Sequence, residues 1–531
     1  MKRVLSTILC IATALSVLTA CGGSKGSASP GNASASNAAG DWDVLTVGIS
    51  TDPQTMDPAL NSNFAPCQVR RNVYEPLFQF DADYNVIPCL ADSWEYLDDC
   101  TLKVHINDKA TFSNGEPVTS EDVMFMIEHS VGTAADTYTT GIDKEATYAS
   151  VLDEKTFCII TKEPSANQLQ MLCSSFCGVF DKSDYDAKNG DFFAGIAGSG
   201  PYKFDSYVAG DNYVLVKNEN YWNNEACPNR MGKILFRIIT ESANRAIEAE
   251  TGGVDIVFNV GASDIDRVKA NDALQYESIF TFNAQYIFLN MQHDILSNEK
   301  VREAIKYAID RETIVRMGYG EMGKVLQAAV VADLPGAADV SGFLVQRDVE
   351  KAKALLAEAG YPDGFTLKFT CDNSNQERMD AGEAMQAQLA EVGIQLKIDA
   401  MDAASLVLSN ESGAHDITIY GYSAASGEAG SALVRFLPET ATWPLTGYPQ
   451  DDILVDYIRN GLASIDLDTR YDYYKKAQER IMELGCVIPL YSKEVNAVLA
   501  KYVDADSFRM EKSFETHQLW NVVWDFAYTQ Q

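Results

Sequence analysis

The sequence predicts a mixed α/β protein with more than one hydrophobic core and a second lobe that begins about halfway along the chain. Its 531 residues exceed what one hydrophobic core usually holds, and 46% of them are hydrophobic. Strand and helix patterns alternate along most of the chain, as expected for mixed sheets covered by helices. About halfway along, a strand pattern leads into a capped amphipathic helix, and there we expect the second lobe to begin.

This central stretch has the clearest pattern. Residues 286–290 form a short apolar run that is typical of a buried strand, and Ser297 and Asn298 are candidate N-caps. Apolar residues then recur at helical spacing, namely Val301, Ala304, Ile305, Ala308 and Ile309.

The first lobe is predicted from β-α-β alternation. A strand pattern at 45–49 opens it, and residues 234–239, 244–250 and 253–257 then read as strand, helix and strand. This order predicts parallel pairing. Asn259 follows the last of these strands, at the end where open α/β sheets commonly face a ligand, although an asparagine that merely forms a turn fits equally well.

The second lobe continues with further alternation. Residues 348–359, 384–391 and 468–484 have helical patterns, whereas 365–370, 393–398, 416–422 and 486–491 read as strands. We expect the chain to return to the first lobe after the last strand.

The N-terminus has the pattern of an export signal. Lys2 and Arg3 precede an apolar run over 4–18, and Leu18-Thr19-Ala20-Cys21 has the form of a bacterial lipobox. We therefore predict a signal peptide at 1–20, lipidation of Cys21, and a flexible Gly- and Ser-rich linker over 21–40. The lipid would hold the exported chain at the outer face of the cytoplasmic membrane or in the periplasm. An ordinary cleaved signal followed by a chance cysteine is the alternative.

Charge and motif content narrow the function. The chain has 42 basic and 75 acidic residues, a formal net charge of −33, which disfavours nucleic acid as a partner. The five histidines show no paired ligand spacing, and there is no HExxH, G-x-S-x-G or Walker sequence. Gly318-x-Gly320-x-x-Gly323 has the spacing of a dinucleotide fingerprint, but it follows a helix, which favours a C-cap and loop. We predict no catalytic residues, no metal and no cofactor. The nine cysteines left after the signal and Cys21 suit small buried side chains.

Several ordered blocks resemble the family 5 extracellular solute-binding proteins, the receptors of ABC importers for peptides, nickel and related solutes. The blocks read TDPQTMDP at 51–58, VYEPLF at 73–78, FSNGEPVTSEDV at 112–123, GSGPY at 198–202, FLN at 288–290 followed by VREAIKYAIDRETIV at 301–315, and VEKAKALLAEAGYPDG at 349–364. The resemblance implies a two-lobed periplasmic-binding-protein-like fold of the large class, which closes on a ligand at a hinge and delivers it to permease subunits.

The resemblance also implies the domain limits. Residues 41–284 and 496–531 would form lobe 1, with an inserted subdomain at about 82–200, and residues 285–495 would form lobe 2. The hinge would consist of the two segments that cross between the lobes. We expect a monomer.

One loop of the second lobe bears on the ligand. In the peptide-binding members that this chain resembles, the corresponding segment reads roughly G-W-x-x-D-x-x-D-P. The first Asp of that segment binds the α-amino group of the peptide. In this chain Gly421 matches the Gly and Tyr422 replaces the Trp, whereas Ala425 stands at the amino-binding position and Glu428 at the second acid. A methyl group cannot neutralise a desolvated ammonium, so ordinary α-peptides are disfavoured. A shifted alignment would instead give that role to Glu428.

Other residues are candidates for ligand contact. The resemblance places Thr51 at the border of the cleft. Near the loop, aromatic side chains could stack on a ring, sugar or blocked peptide and Arg435 could meet a carboxylate. Alternatively, the aromatic side chains only pack against the surface of the lobe and contact no ligand. The loop candidates are Tyr420, Tyr422, Ser423, Arg435 and Trp443.

We therefore predict a lipid-tethered receptor that captures a peptide-like or other small solute and presents it to a membrane permease. A ligand sensor or scaffold on the same fold is the alternative, and an exported hydrolase is a further one.

Overall fold

The computed structural model describes residues 43–60, 64–81, 83–133, 135–139, 141–424, 427–440, 443–447, 451–510, 517–519 and 521–525. The predicted signal peptide, the lipidation site Cys21, the linker and the loop residue Ala425 lie outside the described residues. Across the described ranges, none of the helices combines the length and the apolar character needed to cross a bilayer.

Strands and helices are distributed along the whole described chain. In chain order the described strands are β1 (Val44–Ile49), β2 (Phe78–Phe80), β3 (Val86–Pro88), β4 (Ala91–Asp98), β5 (Thr101–Ile106), β6 (Thr156–Ile160), β7 (Tyr202–Val208), β8 (Asn212–Lys217), β9 (Lys233–Ile238), β10 (Ile256–Phe258), β11 (Leu274–Leu289), β12 (Gly323–Val325), β13 (Phe365–Asp372), β14 (Ile394–Met401), β15 (Ile417–Ser423), β16 (Val487–Ala500), β17 (Arg509–Met510) and β18 (His517–Gln518). The described α-helices are α1 (Phe64–Arg70), α2 (Ser120–His129), α3 (Asp136–Thr139), α4 (Lys144–Ala149), α5 (Gln168–Met171), α6 (Lys182–Ala187), α7 (Ser242–Glu250), α8 (Ile265–Lys269), α9 (Glu299–Ala308), α10 (Arg311–Tyr319), α11 (Val349–Glu358), α12 (Gln376–Ala390), α13 (Ala403–Glu411), α14 (Ala429–Leu433), α15 (Trp443–Thr446), α16 (Asp452–Ala463) and α17 (Leu467–Leu484).

One mixed sheet runs through both lobes. Its strand order is β14-β13-β15-β11-β16-β10-β1-β9-β8-β7, and β12 pairs with β16. In the first lobe β1 lies parallel to both β9 and β10, as the predicted β-α-β alternation requires. In the second lobe β13 lies parallel to β14 and β15. We call the part built on β1 and β7–β10 the first lobe and the part built on β13–β15 the second.

The long antiparallel strands β11 and β16 connect the lobes. Their pairing extends from Leu274 opposite Ala500 to Phe288 opposite Val487. The fold therefore has the two crossing segments that the sequence predicts. Their register is interrupted midway, where residues 281–283 of β11 face Lys493 alone. Such a bulge bends a strand and leaves part of the ladder unpaired, so this is the point at which the crossing is least constrained by ladder hydrogen bonds.

Separate hydrophobic clusters hold the parts of the molecule together. The first lobe packs around β1, β9 and β10, and the second packs clusters on both faces of its part of the sheet. Another cluster extends from Leu77 to Ala197 and covers the three-stranded sheet of β4, β5 and β6. We call this last part the subdomain. The residue limits of the lobes and of the subdomain, as given in the sequence analysis, stay a prediction.

The subdomain also touches the second lobe. The Ala166 amide donates to the carbonyl oxygen of Leu462 at 2.9 Å, and Arg470 Nη1 donates to the carbonyl oxygen of Ala166 at 3.1 Å. Nearby, the ring centroid of Tyr84 lies 4.7 Å from the ring centroid of Phe282 on β11. The second lobe is therefore contacted from the subdomain as well as through the crossing strands.

Candidate functional site

A cavity of about 310 Å³ lies where the two lobes and the crossing strands meet. The first lobe contributes the segments that follow β9 and β10, whose carboxyl ends share one edge of the sheet because both strands run parallel to β1. We call this space the junction cavity, and its lining residues are Ser242, Arg245, Asn259, Val260, Gly261, Ala262, Thr281, Asn283, Met322, Glu377, Lys493 and Val495.

Asn259 lines the cavity directly after β10, at the sheet edge where the sequence places it. Its φ of 57° is in the left-handed region, which asparagine tolerates better than most residues. The Asn259 amide donates to the carbonyl oxygen of Asn496 at 2.9 Å, and the Asn259 carbonyl oxygen accepts from Arg245 Nη2 at 2.6 Å. The strained backbone is thus held from both sides, as is common at functional sites.

Arg245 is a buried cation in the cavity wall, with 5% of its surface exposed. Its Nη1 donates to the carbonyl oxygens of Ile239 and Thr240 at 2.8 and 2.7 Å, and its other donors reach the carbonyl oxygen of Asn259. Burial lowers the pKa of the guanidinium, and the charge of Glu241 partly opposes that effect. Backbone carbonyls therefore orient this charge without neutralising it.

The wall on β11 leads to the predicted binding loop. Asn283 Nδ2 donates to Ser423 Oγ at 2.9 Å, and Asn283 Oδ1 accepts from Gln285 Nε2 at 2.7 Å. Gln285 Oε1 in turn accepts from Arg378 Nη2 at 3.2 Å. Predicted residues from both lobes therefore come together, because Asn259 lines the cavity and Ser423 is one hydrogen bond from its wall.

Two charged side chains of the cavity remain available to a ligand. Lys493 comes from β16 and is exposed, whereas Glu377 comes from the first turn of α12 and is half-buried. Neither takes part in an ion pair among the described residues, although fourteen of the described acidic and basic pairs elsewhere lie within 3.0 Å.

The aromatic candidates differ in accessibility. Tyr422 has 8% of its surface exposed, and its ring stacks on Tyr286 with centroids 5.3 Å apart. This ring is therefore part of the core, which leaves little of it to stack on a solute as the sequence suggests. Tyr420 is half-buried, with the Arg378 guanidinium 5.5 Å from its ring centroid. Trp443 begins α15, and its side chain lies outside the described part of the structure.

Glu428 is paired inside the protein. Its Oε1 lies 2.9 Å from Arg470 Nε, and the side chains are 3% and 5% exposed. Burial raises the pKa of the Glu428 carboxyl, and Arg470 opposes part of the rise. Tyr471 lies close enough to lower the pKa of the same carboxyl together with Arg470. A ligand amino group at Glu428 would have to displace Arg470, which argues against the shifted alignment.

The remaining two candidates lie apart from the cavity lining. Thr51 is exposed in the loop after β1, and the neighbouring Asp52 accepts hydrogen bonds from Tyr207 Oη and Tyr213 Oη at 2.8 and 2.9 Å. Arg435 is half-buried, and its Nε has no hydrogen-bond partner among the described residues. Their roles in ligand binding stay predictions.

Sequence reasoning missed most of the cavity wall. Arg245, Asn283, Glu377 and Lys493 belong to four different elements that are far apart along the chain. Arg245 lies in the first turn of the helix that follows a parallel strand, and ligands commonly bind at this end of such strands, so this position could have indicated Arg245 as a cavity residue. No local pattern marks the other three. In the part of the chain that the structure covers, no group of three or more histidine, cysteine and acidic side chains could hold a metal ion.

A two-lobed α/β fold with two crossing strands and a polar cavity between the lobes defines the class of solute-binding receptors. The sequence profile of bacterial extracellular solute-binding proteins, family 5 Middle, matches residues 85–443. The chain belongs to this family.

Known relatives match along almost the whole chain. Glutathione-binding protein GsiB of Salmonella typhi is 25% identical over 474 residues, which cover 87% of this chain and 90% of that protein. HbpA2 of Haemophilus parasuis is similar in structure, with a TM-score of 0.78, 22% identity and coverage of 91% and 99%. A dipeptide-binding protein of Pseudoalteromonas sp. SM9913, solved with Met-Leu, has a TM-score of 0.75, 20% identity and coverage of 91% and 100%.

Proposed function

We propose that this protein captures a small polar solute in the junction cavity and delivers it to the permease of an ABC importer. The observation that carries the proposal is that one cavity is lined by the first lobe, by both crossing strands and by α12 of the second lobe. Its volume of about 310 Å³ is at the small end of typical ligand pockets. No bond of the solute is made or broken.

Capture would be coupled to closure of the lobes. A solute that contacts Asn259 and Glu377 at once binds more tightly when those residues are close together, so it shifts the population towards the closed form. The bulge in β11 provides a place where the crossing strands can bend. The permease would then distinguish the closed form from the open one.

The proposal includes export and a lipid anchor at Cys21. Its support is the apolar run that ends in Leu18-Thr19-Ala20-Cys21, followed by a linker without hydrophobic clusters. Each buried CH₂ of an acyl chain contributes about 0.8 kcal/mol, so two or three chains would hold the receptor at the membrane.

The class of solute is guided by the relatives. Relatives that are similar in sequence are named for glutathione, and one similar structure was solved with the dipeptide Met-Leu. Ala425 cannot neutralise a free amino group, so the solute would place any amino group elsewhere. A small peptide-like compound with other polar ends fits these observations.

A thermal-shift screen of the full-length chain in detergent micelles tests the proposal. The panel contains glutathione, Met-Leu, acetyl-Met-Leu, common mono- and disaccharides, and nickel with histidine. A ligand at about 100 times its Kd adds about 2.7 kcal/mol to the free energy of unfolding, which raises Tm by a few degrees. We expect at least one compound to do so. A panel without effect at millimolar concentration would contradict capture of a solute from these classes.

A further inference from the structure

Tyr84 links the hydrophobic core of the subdomain to that of the second lobe. Its half-buried side chain packs against both clusters. The ring centroid lies 5.8 Å from that of Phe80 on β2 and 4.7 Å from that of Phe282 on β11. A Cβ built on Gly427 would lie 3.1 Å from Tyr84 Cδ1, so the ring also occupies the space beside this glycine. One side chain of the subdomain therefore contacts two separate segments on the second-lobe side.

Both contacted segments bear on solute capture. Phe282 belongs to the bulge of β11, where three residues face Lys493 alone. Its chain neighbours Thr281 and Asn283 line the junction cavity. Gly427 belongs to the loop after β15, which the sequence predicts to contact the ligand. A displacement of the Tyr84 ring would therefore act at the bend of the crossing strand and beside the predicted binding loop.

The turn between β2 and β3 fixes the position of this tyrosine. Asp81 Oδ1 accepts hydrogen bonds from the backbone amides of Asp83 and Asn85 at 2.8 and 2.9 Å, and Asn85 Nδ2 donates to Asp81 Oδ2 at 3.0 Å. Tyr84 has a φ of 64°, in the left-handed region that bulky residues rarely adopt. Such strain persists only where surrounding contacts hold it, and it is common where a residue has a function.

The subdomain is attached to the first lobe at both ends of its chain. The chain enters the subdomain shortly after Val73 and Tyr74 and leaves it shortly before Tyr202, and these three side chains pack in the first-lobe cluster. The Gly200 amide donates to the Val73 carbonyl oxygen at 2.9 Å, and the Tyr202 amide donates to that of Asn72 at 3.0 Å. Separation of the lobes would therefore carry the subdomain with the first lobe and break its contacts with the second.

We infer that Tyr84 is a latch between the subdomain and the second lobe, which stabilises the closed form of the receptor and slows release of the solute. Tyr84 does not line the junction cavity. It is a positioning residue, which acts on affinity through Phe282 and Gly427 by favouring the closed population. This inference rests on the proposed function and gives the subdomain a part in it.

Tyr84→Gly tests the latch in the full-length chain in detergent micelles. Glycine suits the left-handed backbone at this position, so the variant removes the ring without adding strain. The probe is the compound of the thermal-shift panel that raises the Tm of the parent most. We expect its affinity to fall roughly 3- to 10-fold, as the loss of an aromatic contact predicts. The change should lie mainly in a faster dissociation rate, because the latch forms after the solute has entered the open cleft. Calorimetric titration and stopped-flow fluorescence measure the two quantities.

Two tyrosine variants are the controls. Tyr84→Phe keeps the ring and should keep the parent dissociation rate within about twofold. Tyr148→Ala removes a ring on α4 of the subdomain that is 64% exposed, and it should bind the probe as the parent does. Circular dichroism and Tm of the ligand-free variants establish that they are folded. A purely structural role of Tyr84 would lower the Tm of Tyr84→Gly and leave the dissociation rate at the parent value.

A variant on the opposite side of the contact gives an independent test. Gly427→Ala places a methyl against the Tyr84 ring and should raise the dissociation rate roughly twofold or more in the parent, but not in the Tyr84→Gly background. Gly413→Ala is the matched control, because φ is 66° at Gly413 and 65° at Gly427. A Cβ at Gly413 would have its nearest heavy atom at 3.6 Å, so this variant has the same backbone strain without the close contact.

The outcomes separate the latch from the proposed function. If Tyr84→Gly binds the probe with the parent affinity and dissociation rate, the latch is overturned while solute capture stands. Equal effects of Gly427→Ala and Gly413→Ala, or of Tyr84→Gly and Tyr148→Ala, would overturn it as well. If no compound of the whole panel binds the parent, the proposed function fails for these solute classes and the inference fails with it.

Discussion

Replacing Arg470 with methionine is expected to lower the free energy of unfolding by about 3–5 kcal/mol, because the buried Glu428 carboxylate then loses its partner. Taken as whole residues, Arg470 is 4% exposed and Glu428 is 2% exposed, so water cannot solvate the unpaired charge. The variant also loses the hydrogen bond from Arg470 to the Ala166 carbonyl oxygen, and with it a contact between the subdomain and the second lobe. Urea unfolding of the parent and the variant measures the loss.

The expected loss depends on pH. Burial raises the folded-state pKa of the Glu428 carboxyl, and Arg470 opposes that rise. Without Arg470 the folded-state pKa rises further above the unfolded value, so the folded variant gains a proton that stabilises it at lower pH. The deficit of Arg470→Met relative to the parent should therefore be larger at about pH 8 than at about pH 5.

Two further variants serve as controls for this pair. Adding Glu428→Gln to Arg470→Met removes the unpaired charge and should recover part of the lost stability. Arg480→Met on the same helix breaks a more exposed ion pair, in which Arg480 Nη2 lies 2.7 Å from Asp451 Oδ2. This variant should lower the free energy of unfolding by about 1 kcal/mol or less. An equal loss for Arg470→Met and Arg480→Met at every pH would contradict a buried charge pair.

Gly198→Ala is expected to destabilise the chain by about 3 kcal/mol or more, since the added methyl has no space. A Cβ on Gly198 would lie 2.1 Å from the carbonyl oxygen of Val73 and 2.7 Å from the Tyr74 ring. The first neighbour is backbone, so no side-chain rotation relieves the clash. The same segment pairs with this backbone, because the Gly200 amide donates to the Val73 carbonyl oxygen at 2.9 Å.

Gly342→Ala is the matched control for Gly198→Ala. A Cβ at Gly342 would meet no heavy atom within 4 Å, and the residue does not need a positive φ. Expression yield and the urea midpoint should fall for Gly198→Ala and stay at the parent value for Gly342→Ala. Equal midpoints for both variants would contradict the close approach of the GSGPY segment to residues 72–74.

The sequence predicts the order of elements well where apolar runs are buried, and less well where a strand has two different faces. The prediction starts the central strand at residue 286, whereas β11 begins at Leu274. In between, Phe282 and Ala284 pack in the core while Thr281 and Asn283 line the junction cavity. Such a mixture of polar and apolar residues does not read as a strand from a single sequence.

Helix α12 shows a second limit. The prediction covers residues 384–391, but the helix begins at Gln376. Its first turns are polar, and Gly382 lowers the helical signal. The structure explains this glycine, because a Cβ there would lie 2.4 Å from the Phe369 ring on β13. Close packing of helix on strand thus overrides the local preference.

The lining of the junction cavity could be predicted from the sequence only where a fold rule applies. Asn259 follows from the position of ligands at the carboxyl ends of parallel strands. Glu377 and Lys493 look like ordinary surface residues in the sequence, and only the crossing of β16 beside α12 brings them to one cavity. Tyr422 is the opposite case, since this aromatic residue at a loop edge is stacked on Tyr286 in the core and its role in ligand binding stays a prediction.

Amide hydrogen exchange of the full-length chain, with and without a stabilising compound from the panel, tests solute capture in the junction cavity most directly. The account predicts simultaneous protection of peptides that contain Asn259, Asn283, Glu377 and Lys493, because one solute contacts both lobes and the crossing strands. Peptides around Lys475 on the outer helix should exchange as before. Protection confined to one lobe, or to segments that do not line the cavity, would contradict the central claim.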